Sequence, residues 1–200
     1  MNSNGLVTGM EGLSSLNIMN NFSNSASGSS YRNNEASNTK GLEAKPPRAP
    51  FCIGSLGKES QEAGVQDVTV KTTTFTGTQN GLRIKTWGRP STGFARNILF
   101  QHAVMNNVQN PILIDQNYCP GEKNCPGQVS GVKVSDVTYQ DIHGTSATEL
   151  AVKFDCSKKY PCTGIKLQDV KLTYDNKPAE ALCSHAGGVA SGTVQPTSCL

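Results

Sequence analysis

Little in this sequence is charged, aromatic or continuously apolar. Charged residues make up 16% of the 200 and aromatics 6%, with a single Trp. A formal net charge of +3 is no footprint for nucleic acid, which asks for a dense basic stripe. It is compatible with a polyanionic carbohydrate but points to none by itself. No run approaches the ~20 apolar residues of a membrane-spanning helix. Met1 to Met19 has neither the basic start nor the apolar centre of a secretory signal. Helical periodicity is missing. Tight hairpin signals are nearly so, with Asn80-Gly81 the one exception. C-x2-C spacing is absent, and no cysteine lies near a matching histidine cluster, which argues against zinc.

Gly, Ser, Thr and Asn are plentiful instead, a mixture that suits β-structure with many turns. Six of the seven cysteines follow residue 118 and fall into close pairs: Cys119 with Cys125, Cys156 with Cys162, Cys183 with Cys199. Such pairs bracketing short loops read as disulfides of a secreted protein, with local pairing the simplest arrangement. Cys52 is left over. The expected compartment is therefore extracellular, although the start of the chain shows no signal peptide.

Residues 1–50 differ from the rest. Ser and Asn account for 18 of them, and a segment this polar buries too little apolar surface to offset its ordering entropy. A disordered tail ending in a linker with Pro46, Pro47 and Pro50 is expected, with the folded part running over 51–200. From Phe51 onward, short β-branched runs repeat. Asp67-Val68-Thr69-Val70 is matched by Asn97-Ile98-Leu99-Phe100, Asp136-Val137-Thr138-Tyr139 and Asp169-Val170-Lys171-Leu172. A second apolar run follows three of these openings after about fifteen residues: Leu82-Ile84, Ile112-Ile114 and Leu150-Val152. Repeats of this length without intervening helices favour an all-β right-handed parallel β-helix over an antiparallel sandwich. Asp or Asn at one register would stack at a turn of each coil.

Within this frame, Ile53-Gly54-Ser55-Leu56-Gly57-Lys58-Glu59, Asn80-Gly81-Leu82-Arg83-Ile84-Lys85-Thr86-Trp87, Asn110 to Cys119 and Pro196-Thr197-Ser198-Cys199 resemble, in order, segments of the plant-type polygalacturonases, glycoside hydrolase family 28. The resemblance covers about residues 53–200 and corresponds to the C-terminal part of the family's β-helix, so the fold is expected to be truncated on its N-terminal side. It implies inverting hydrolysis of α-1,4-galacturonosyl bonds in pectin at the cell wall, by an acid and a base on opposite sides of the bond. It implies no cofactor or metal, no nucleic-acid or membrane partner, and a monomer. The family places its acids in Asn-Thr-Asp and Asp-Asp motifs, supported by Gly-His-Gly. None of the three occurs here. Arg48-Ala49-Pro50 falls where Gly-His-Gly would stand, so no catalytic residue is assigned.

The substrate-holding residues are present. Arg83 and Lys85, two apart on a strand, share one face while Ile84 points to the core. From pattern alone a solvated basic pair is the simpler reading; the resemblance makes the pair a grip for a galacturonate carboxylate. Tyr118 corresponds to the family tyrosine that packs against the sugar, and bracing of the Cys119 loop is its alternative role. Trp87 either stacks on a sugar or covers a coil end. Asp115 ends a strand near Tyr118. His102, His143 and His185 are expected at the surface. The expectation is a polygalacturonase-family chain, catalytically silent alone; a pectate-binding module and an incomplete gene product are the alternatives.

Overall fold

A computed structural model describes residues 51–119 and 129–200 together with the backbone of Val7–Thr8. The rest of the expected tail with its linker, and Cys125, lie outside the described residues. Among the described residues every regular element is a strand. The short β1 (Val7–Thr8) runs antiparallel to β3 (Val65–Thr76). A five-stranded parallel sheet is built from β2 (Phe51–Leu56), β4 (Asn80–Trp87), β6 (Asn110–Tyr118), β8 (Leu150–Asp155) and β11 (Glu180–Ser184), stacked in that order. A second sheet of seven strands stacks β3, β5 (Phe94–Val108), β7 (Lys133–Ser146) and β9 (Cys162–Tyr174) in parallel. At its far end β9 carries β12 (Ala186–Gln195) in parallel and β10 (Lys177–Pro178) antiparallel. Each coil contributes one long strand to the second sheet and one short strand to the first. This is a parallel β-helix.

The long strands turn corners by residues in the left-handed region. Asp67, Asn97 and Asp136 occupy one register with φ of 56°, 52° and 54°, and Gly164, with φ of 65°, continues it. Asn and Asp are the residues that tolerate this conformation best after Gly. A second corner column holds Thr72, His102, Asp141 and Asp169, all with φ between 51° and 56°. Asp169 therefore does not continue the Asp67 register. Val170 pairs with Ile142, whereas Ile165 pairs with Val137. The sequence repeat slips in this coil because both corners need the left-handed conformation that Asp tolerates, so an Asp fits either. The short strands need a similar correction: Val152 and Phe154, not Leu150 and Val152, stand beside Ile112 and Ile114.

Between the sheets the apolar columns close into one core. Phe100 and Tyr139 stack at 5.0 Å between ring centroids, and Phe51 and Phe154 flank them at 5.9 Å each. Ile53, Ile84, Ile114 and Phe154 form a ladder with no exposed surface. Polar side chains tie the ends of the short strands to the loops. Gln116 donates to the Val132 carbonyl at 2.8 Å and accepts from the Ser157 amide at 3.0 Å; the Ser157 hydroxyl donates to the Ser130 carbonyl at 2.8 Å. Disulfides join Cys156 to Cys162 and Cys183 to Cys199, and Cys119 is also disulfide-bonded.

Candidate functional site

The outer face of the five-stranded sheet carries two columns of side chains. Cys52, Arg83, Leu113 and Lys153 are partners in one; Lys85, Asp115 and Asp155 are partners in the next. Ile84 and Ile114 point the other way, into the core. Tyr118 lies in register with Trp87, where β6 bulges past β4. The rings of Trp87 and Tyr118 meet edge-on at 5.4 Å, and the Arg89 guanidinium stacks 4.8 Å from the Trp87 ring.

Tyr118 gathers the two cations. The Lys85 ammonium stands 4.5 Å from its ring centroid and the Arg83 guanidinium 5.2 Å. The negative face of an aromatic ring attracts both charges, most strongly where water is excluded. Their exposures differ: Lys85 is 4% exposed, whereas the Arg83 side chain keeps 16% of its surface. A ligand can touch Arg83, while Lys85 adds positive potential from beneath. The structure thus brings together Arg83, Lys85 and Tyr118.

Three neighbours complete the face. The Arg83 Nη2 donates to Asp115 Oδ2 at 2.6 Å, and Asp115 Oδ1 accepts from the Asn117 amide at 3.1 Å. Asp155 accepts from the Asn117 side-chain amide at 3.0 Å, and its Oδ2 lies 3.9 Å from the Lys153 ammonium. Both carboxylates stand next to cations. Burial pushes the Cys52 thiol up to about 11, against the pull of Lys85 and Arg83. At neutral pH Cys52 is a protonated thiol and no nucleophile. Asp155 and Lys153 escaped the sequence reading because the apolar run of their strand was placed two residues early. In correct register, Asp155 follows Phe154 as Asp115 follows Ile114.

A separate cluster lies on the second sheet. The Nδ1 of His102 is 2.6 Å from Asp141 Oδ2, and that of His143 is 3.3 Å from Asp141 Oδ1. All three are exposed, and no group of His, Cys, Asp or Glu among the described residues could hold a metal ion. His185 sits between β11 and β12 with φ of 53° and contacts the Ser184 hydroxyl at 3.2 Å.

A family model described as Glycosyl hydrolases family 28 matches residues 50–193. The chain belongs to this family. A polygalacturonase of Prunus persica is 78% identical over 154 residues, which are 77% of this chain and 39% of that protein. Polygalacturonase QRT2 of Arabidopsis thaliana is 48% identical over 75% of the chain and 34% of its own length. Polygalacturonase-2 of Solanum lycopersicum is 47% identical over 70% of the chain and 30% of its own length. The chain thus spans between 30% and 39% of the length of these curated relatives. In this family 28 chain Arg83 and Lys85 of β4 lie on the outer face of the parallel sheet, near Tyr118 at the end of β6.

Proposed function

We propose that this chain is a polygalacturonase-family segment that holds the substrate and does not cut it. The ligand is α-1,4-linked galacturonate in pectin. Arg83 grips a uronate carboxylate, Lys85 strengthens the local positive potential, and the Tyr118 ring lies against the sugar. The observation that carries this reading is the convergence of both cations on the Tyr118 ring. A guanidinium is suited to a carboxylate because its donors match two oxygens in a plane.

Inverting hydrolysis needs one carboxyl group carrying a proton and a second activating water on the opposite side. The motifs that supply them in the family are absent from the 200 residues, so the chain alone is catalytically silent. We assign the folded part to residues 51–200, preceded by a Ser/Asn-rich tail. The disulfides suit an oxidising, extracellular setting such as the cell wall, where the chain acts as a monomer with no nucleic-acid or membrane partner.

Retention of the purified chain on a pectate gel tests the assignment. The wild type is expected to be retained and the Arg83→Ala/Lys85→Ala variant to flow through. Equal retention of both would refute the site.

A further inference from the structure

Building on this reading, we propose that Asp115 is a specificity-determining residue that sets the site's tolerance for methyl-esterified galacturonate. Asp115 is an internal carboxylate on the very guanidinium assigned to the substrate carboxylate. It holds Arg83 at 2.6 Å and is itself anchored by the Asn117 amide. Neither partner is fully buried, the side chains keeping 16% and 20% of their surface. A bound uronate at Arg83 therefore has Asp115 as its closest like charge.

The charges on this face nearly balance. Arg83, Lys85 and Lys153 stand against Asp115 and Asp155, leaving a net charge of +1. A methyl ester lacks the uronate charge but keeps a carbonyl oxygen that accepts from Arg83. On a face so nearly neutral, the ester forgoes little Coulomb energy, and both forms of the sugar are accommodated. Converting Asp115 to a neutral residue doubles the net charge and removes the repulsion felt by a uronate. The ester feels neither change to first order. The difference belongs to charge more than to shape: an Asn at this position has the same outline, its single oxygen accepting from Arg83 Nη2 or from the Asn117 amide.

The test compares the full 200-residue chain with Asp115→Asn, binding polygalacturonate and highly methyl-esterified pectin at two salt concentrations. Asp115→Asn is expected to bind polygalacturonate about tenfold more tightly, the scale of one unit charge at contact distance in a partly solvated site. Affinity for the esterified polymer stays within about twofold, and the gain on polygalacturonate shrinks as salt rises. Asp115→Ser, which lacks the amide, is expected to shift selectivity the same way and guards against an Asn-specific folding defect. A purely structural Asp115 would weaken both ligands together. That result, or a selectivity ratio in Asp115→Asn equal to that of a wild type whose binding is lost in Arg83→Ala, overturns this inference alone. Failure of wild type and Asp115→Asn to bind either polymer overturns the site assignment and this inference with it.

Discussion

The Lys85 ammonium lies 4.5 Å from the centre of the Tyr118 ring, with the Arg83 guanidinium 5.2 Å from the same ring. One aromatic side chain thereby keeps together two like charges that stand two positions apart on a strand. Tyr118→Phe keeps the ring and is expected to retain pectate binding to within a few-fold. Tyr118→Leu removes the quadrupole, about 0.5–2 kcal/mol for each cation held, and is expected to lower affinity about tenfold or more. Equilibrium binding to oligogalacturonate by the two variants separates ring from hydroxyl.

The core contains a polar group without a partner. No described group hydrogen-bonds the Tyr139 hydroxyl, although its ring stacks on Phe100. Burial pushes the Tyr139 pKa far up, so the hydroxyl stays protonated throughout. Tyr139→Phe removes an unsatisfied buried oxygen and keeps the stack. It is expected to stabilise the chain by about 1 kcal/mol, seen as a higher thermal midpoint. Phe100→Ala, which opens the same stack, is expected to cost about 3–5 kcal/mol.

Gly144 sits at φ of 129°, and a Cβ there would lie 1.9 Å from the Met105 carbonyl oxygen of the neighbouring coil. Gly144→Ala is expected to destabilise by about 3 kcal/mol or more through combined strain and overlap. Chemical denaturation reads the loss directly.

The His102–Asp141–His143 cluster gives a pH dependence with a definite sign. The hydrogen bond from His102, followed by that from His143, holds the Asp141 carboxyl below its usual range against the opposing effect of burial. A carboxyl lowered in the folded state contributes stability above its unfolded pKa, near 4, and loses it as pH falls through the folded value. The groups are exposed, so the contribution stays within about 1 kcal/mol. Thermal midpoints of wild type and Asp141→Asn are expected to differ at pH 5 and to converge as the pH falls below the folded pKa of Asp141.

The sequence made the architecture legible where apolar residues alternate and where a corner demands Asn or Asp. It misled where an Asp suits either of two corners. Asp169 belongs with Asp141 and His102, a column invisible until register is known, because Thr, His and Asp share no obvious pattern. Yet His102 and Asp141 are as far apart as Asn97 and Asp136, and that shared interval was the available signal. Arg83, Lys85 and Tyr118 were readable as a set only through family resemblance. Their order along the chain does not say that one ring would touch both cations. Asp115 was visible as a strand-end acid, but its hold on Arg83 depends on a diagonal reach between coils that no one-dimensional spacing encodes. Asp155 stayed hidden behind a two-residue error in register.

This chain is proposed to hold polygalacturonate without hydrolysing it. Reducing-end release from polygalacturonate by the purified chain, measured where pectate-gel retention is already demonstrated, tests it most directly. Binding with no reducing ends above buffer background is expected. Sustained release that disappears in the Arg83→Ala/Lys85→Ala variant would contradict it, by showing that the chain carries its own catalytic acids.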